Sequence, residues 1–93
     1  MKIYQSRLFE RKAKKLNRDQ KIVLDQEIRK ISQDPSIGSE KKGDLKGVFV
    51  YKFKIKAEQY LIAYRLTDDG LELVTIGSHE NYYRDLKSYL KNR

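Results

Sequence analysis

Cysteine is absent from this 93-residue chain, which excludes a disulfide framework, a thiolate zinc site and a cysteine nucleophile. Histidine is almost absent: His79 is the only one, so a metal centre would have to rest on scattered carboxylates, and neither metal nor cofactor is expected. No serine sits in a G-x-S-x-G setting and no glycine-rich phosphate loop occurs, which removes two common catalytic signatures. No apolar run approaches membrane-spanning length, and Met1-Lys2-Ile3-Tyr4-Gln5 forms no signal-peptide core. A cytoplasmic protein with no membrane partner is the expectation.

Acidic residues are in short supply as well. Thirteen Asp and Glu stand against 21 Lys and Arg, a formal net charge of +8. An excess of that size on a small protein draws polyanions from a distance, so RNA, DNA or an acidic protein is the expected partner. Charged residues make up 37% of the chain and hydrophobic ones 39%, and the latter come in periodic blocks that a disordered chain lacks. Length, the absence of repeats and the absence of low-complexity stretches give a single domain over residues 1–93.

Residues 2–5 read as a short strand. Ser6 then caps a helix over about 7–16, where Phe9, Ala13 and Leu16 recur at i, i+4 and i+7. Asn17 and Gln20 have the spacing of a capping box for a second helix to about Gln33, with Leu24, Ile28 and Ile31 as its apolar stripe. Asp34-Pro35 ends it, and residues 34–47 form a basic loop containing Lys41, Lys42 and Lys46. From Val48 the period changes to two: Phe49, Tyr51, Phe53 and Ile55 share one face, Val48, Val50, Lys52, Lys54 and Lys56 the other. Residues 59–66 and 71–76 make two more strands, joined by a Thr67-Asp68-Asp69-Gly70 turn. A last helix over about 80–91, capped by Ser78 or Asn81, carries Tyr82, Leu86 and Tyr89. The expectation is an α+β fold of order β-α-α-β-β-β-α. It has a four-stranded antiparallel sheet, an N-terminal helical hairpin on one face, a C-terminal helix, and the other face free for a site.

Three consecutive strands each deliver a cationic or titratable group: Lys52 and Lys54 from the first, Arg65 from the second, His79 after the third. Lysine, arginine, histidine and tyrosine together, without a metal, suit the cleavage of RNA by its own 2′-hydroxyl. That reaction removes a proton from the 2′-oxygen, stabilises charge on the phosphorane and returns a proton to the departing 5′-oxygen. The competing uses of these residues are ordinary ones. A lysine row also protects an edge strand, and Tyr82 and Tyr83 lie at helical spacing with Leu86 and Tyr89, as core aromatics do.

Four stretches in order, Asp44-Leu45-Lys46-Gly47, Tyr51-Lys52-Phe53-Lys54, Tyr60-Leu61-Ile62-Ala63-Tyr64-Arg65-Leu66 and Gly77-Ser78-His79, resemble the RelE/ParE toxin family of bacterial type II toxin–antitoxin systems. The likeness runs over essentially the whole chain and is greatest to the RelE/YafQ-like branch. It implies a toxin that inhibits translation as a ribosome-dependent, metal-independent mRNA endonuclease; the ParE alternative is a gyrase inhibitor without chemistry. A third form is an inactive toxin that retains its antitoxin-binding surface. The nuclease reading implies that Lys52 and Lys54 clamp the phosphate, one of them serving as base. Arg65 would stabilise the phosphorane, His79 would move a proton, and Tyr83 would orient or stack on a base. Lys46, Lys56, Tyr82 and Arg84 are the further RNA-binding candidates, and the expected partners are the ribosome, mRNA and an acidic antitoxin. The sequence departs from the nuclease pattern at Leu61, where many members carry arginine after the tyrosine.

Overall fold

The computed structural model describes residues 2–41, 43 and 47–79. The chain opens with strand β1 (Lys2–Gln5) and passes through two helices, α1 (Arg7–Lys14) and α2 (Arg18–Gln33). A 3₁₀ turn (Pro35–Ile37) and a two-residue strand β2 (Ser39–Glu40) follow, then β3 (Phe49–Ile55), β4 (Glu58–Leu66) and β5 (Gly70–Ser78).

Both helix starts form where the side chains dictate. Ser6 accepts a hydrogen bond from the Phe9 N–H at 2.9 Å and donates its own hydroxyl to the Val74 carbonyl at 2.5 Å, so one residue caps α1 and fastens it to β5. Asn17 and Gln20 exchange bonds of 2.8 Å in each direction, the reciprocal capping box their spacing predicts. The apolar stripe of the hairpin, led by Phe9, Leu24 and Ile31, lies on one face of the sheet against Phe53, Ile55, Tyr60, Ile62, Tyr64, Leu71, Leu73 and Ile76. Glu27, buried on the inner side of α2, accepts from the Tyr51 hydroxyl at 2.6 Å and from Lys30 Nζ at 3.0 Å, which ties α2 to β3.

The sheet corrects the expectation of four antiparallel strands. Among the described residues it has five strands in the order β1-β5-β4-β3-β2, and β1 runs parallel to β5 while the other pairs are antiparallel. β2 is too short to carry a period, and all four residues of β1 are exposed, so neither strand's own sequence names its partner. Gly70 is used differently from its reading as a hairpin glycine. A Cβ there would overlap the Lys2 backbone, so the glycine admits β1 alongside β5. The second face is not bare either: Val50, Leu61, Ala63 and Thr75 are buried on it. The run Tyr60-Leu61-Ile62-Ala63-Tyr64 is buried throughout, as befits a central strand covered on both sides. The expected helix over 80–91 lies outside the described residues.

Candidate functional site

The connection between β3 and β4 is two residues long, Lys56-Ala57, and it fixes the register: Ile55 faces Glu58, Lys54 faces Gln59, and Lys52 faces Leu61. β5 continues the pattern on the other side of β4. Tyr60 faces Ser78 and Leu61 faces Gly77, and beyond them the His79 N–H donates to the Gln59 carbonyl at 3.2 Å. Lys54, Gln59 and His79 therefore form one transverse row across three strands, spanning about 10 Å between its outer backbones at the usual strand spacing. Lys52 stands on the same face of β3, about 7 Å further along.

Burial separates this end of the sheet from the rest of the face. Lys52, Lys54, Lys56 and His79 are exposed and Gln59 is half-buried, whereas Leu61, in the next row, has 0% of its surface exposed. Among the described residues, this end of the face thus carries exposed lysines and the histidine on either side of the half-buried Gln59. Lys52 also borders a hollow of about 290 Å³ at the β2–β3 edge, shared with Lys41 and Ser39.

Arg65 is not brought to this place. Six residues along β4 from Gln59, it is about 20 Å away. Its guanidinium is engaged by Glu72, with Nε at 3.0 Å from Oε1 and one terminal nitrogen bound to the same oxygen. Lys56 is in the hairpin turn, exposed, with a left-handed backbone (φ 57°). Lys46, Tyr82, Tyr83 and Arg84 lie outside the described residues.

The tyrosines of β3 and β4 are structural. Burial, helped by the hydrogen bond to Glu27, pushes the Tyr51 hydroxyl up to about 12. Burial likewise raises Tyr60 and Tyr64 above the ordinary phenol value. Each remains a protonated hydroxyl at neutral pH and serves as a hydrogen-bonding group. Tyr64 donates to the Pro35 carbonyl at 2.6 Å and accepts from the Gly38 N–H at 3.0 Å. Among the described residues, no three His, Cys, Asp or Glu side chains gather as a metal site would require. Nor is any described helix long and apolar enough to cross a membrane.

Gln59 escaped the sequence reading although a signal for it was present. A two-residue hairpin loop is enough to put residue 59 opposite residue 54 and on the lysine face.

A sheet with a helical hairpin on one face and a cationic end beside a lone histidine on the other defines a small basic α+β protein suited to a polyanion. A family model described as the ParE-like toxin of type II bacterial toxin–antitoxin systems matches residues 3–87, and the chain belongs to that RelE/ParE family of toxins. Among solved structures it is similar to a free Escherichia coli RelE toxin carrying two arginine-to-alanine changes. That match has a TM-score of 0.72 and 14% identity, and covers 98% of this chain and 94% of that one. The toxin–antitoxin complex RelBE of Escherichia coli gives a TM-score of 0.64 at 16% identity, over 81% of this chain and 92% of that one. The conserved hypothetical protein HP0894 of Helicobacter pylori gives 0.52 at 23% identity, over 86% and 96%. These likenesses establish the fold. None of the curated protein sequences matches the chain.

Proposed function

We propose that this toxin is a metal-independent endoribonuclease that cuts mRNA on the ribosome in the cytoplasm and so stops translation. The observation that supports the reading is the transverse row: an ammonium at Lys54 and an imidazole at His79 flank one accessible strip of sheet, with Lys52 beside it. In the proposed reaction the 2′-oxygen of a ribose forms a bond to phosphorus while the bond to the 5′-oxygen breaks. The products are a 2′,3′-cyclic phosphate and a 5′-hydroxyl. Lys52 and Lys54 hold the phosphate, and one of them, deprotonated, takes the 2′-hydroxyl proton. His79 delivers a proton from its imidazole to the departing 5′-oxygen. Tyr83 would orient a base, and Lys46, Lys56, Tyr82 and Arg84 would hold the RNA. Arg65, engaged by Glu72, has no part in this scheme.

The net charge of +8 calls for an acidic antitoxin that covers the basic surface, and the similar RelBE structure of Escherichia coli is a toxin–antitoxin complex. The test is brief expression followed by mapping of 5′ ends on a translated message. Cleavage should appear with the native chain and fall about 100-fold or more with His79→Ala, the usual scale for a lost proton-transfer group.

A second reading has its own support. The matching family model is ParE-like, and Leu61 is a buried aliphatic at the position where the nuclease resemblance implies an arginine in many members. A gyrase inhibitor without chemistry would leave mRNA intact, induce DNA-damage signalling and tolerate His79→Ala.

A further inference from the structure

Resting on the nuclease reading above, we propose that Gln59 is a catalytic residue: its side-chain carboxamide donates a hydrogen bond to a non-bridging oxygen of the phosphorane. Three observations carry this. Gln59 is the middle member of the Lys54–Gln59–His79 row, flanked on each side at the distance of adjacent strands, about 5 Å. A phosphate held by Lys54 and protonated through His79 must lie over it. Secondly, Gln59 is half-buried at the boundary where the accessible strip meets the sealed part of the face. Thirdly, among the described residues the Gln59 carboxamide has no hydrogen-bond partner. The amide of Gln20, by contrast, is engaged at both ends, with Asn17 and with the Tyr60 hydroxyl at 3.3 Å.

The chemistry needs such a donor at this point. As the 2′-oxygen bonds to phosphorus, negative charge grows on the two non-bridging oxygens before the 5′-oxygen leaves. Leu61 offers no donor and Arg65 is about 20 Å off and occupied by Glu72. An amide has two N–H donors, stays neutral at every relevant pH and is fixed on a strand, the properties of a group prepared for charge that appears only in the transition state.

The experiment uses the full-length toxin with ribosomes programmed with mRNA carrying a phosphorothioate of one configuration at the cleaved position, in parallel with the other configuration and with native phosphate. Single-turnover rates are measured for the native chain, Gln59→Ala, Gln59→Asn and the near-isosteric Gln59→Glu, each shown to be folded by an unchanged melting temperature. The expected result is a native enzyme that distinguishes the two phosphorothioates. Gln59→Ala should lose about 100-fold in kcat with KM nearly unchanged and should no longer distinguish them. Gln59→Glu should lose more, through repulsion of the phosphorane charge. An unchanged rate with unchanged stereochemical preference overturns the proposal while leaving the nuclease reading intact, as does a loss confined to KM. A native chain that cuts none of the substrates overturns both.

Discussion

Tyr64 shows how much a single hydroxyl holds in this protein. The ring is fully buried in the middle of β4, and its oxygen bridges the Pro35 carbonyl and the Gly38 N–H, pinning the 3₁₀ turn to the sheet. Tyr64→Phe leaves both backbone groups unmatched and is expected to cost about 1–3 kcal/mol, a drop of several degrees or more in melting temperature. Ser6→Ala removes a helix cap and a donor to Val74 together, and a loss of about 1–2 kcal/mol is expected by denaturant unfolding. Alkaline pH acts through a third residue. Tyr51 is raised in the folded state to about 12 from the ordinary 10, because burial and Glu27 favour the neutral phenol. That stabilising contribution is complete below pH 10 and is lost as pH rises to 12 and beyond. Melting temperature should therefore fall in this window, and the fall should be shallower in Tyr51→Phe.

Among the elements, the β3–β4 hairpin decides the candidate site, because its two-residue loop sets which side chains face each other. Lys56 adopts φ 57° there without being a glycine. Lys56→Gly relieves the left-handed strain and is expected to gain up to about 1 kcal/mol, read as a higher denaturation midpoint with the register kept. The elements that carry strong local signals were legible in the sequence. Ser6 and the Asn17/Gln20 pair announced both helices, and the alternation from Phe49 to Ile55 announced β3 with the correct faces. Those that depend on distant partners were not. The parallel pairing of β1 requires knowing that β5 returns to it, and four exposed residues carry no trace of that. Lys52, Lys54 and His79 were readable as candidates from residue type and strand spacing. The occupation of Arg65 was hidden, because Glu72 meets it only through the pairing of β4 with β5, which contains a bulge at Ala63/Tyr64.

At the scale of the whole molecule the charge governs encounter. With +8 on 93 residues, the ribosome binding proposed above should weaken steeply between about 50 and 200 mM salt. Replacing Lys52 and Lys54 with alanine should reduce the slope of log affinity against log salt by about 2, roughly one per lysine. Sedimentation of the toxin with ribosomes at several salt concentrations measures both.

The parallel seat of β1 beside β5 also has a consequence for how the chain is made. Residues 2–5 leave the synthesising ribosome early, yet the strand they need is completed by residue 78, and the same late segment carries the histidine. During translation the first strand waits without a neighbour, and neither the edge of the sheet nor the cationic row can form until most of the polypeptide has emerged. The row of Lys54, Gln59 and His79 is thereby absent from any chain still short of residue 79.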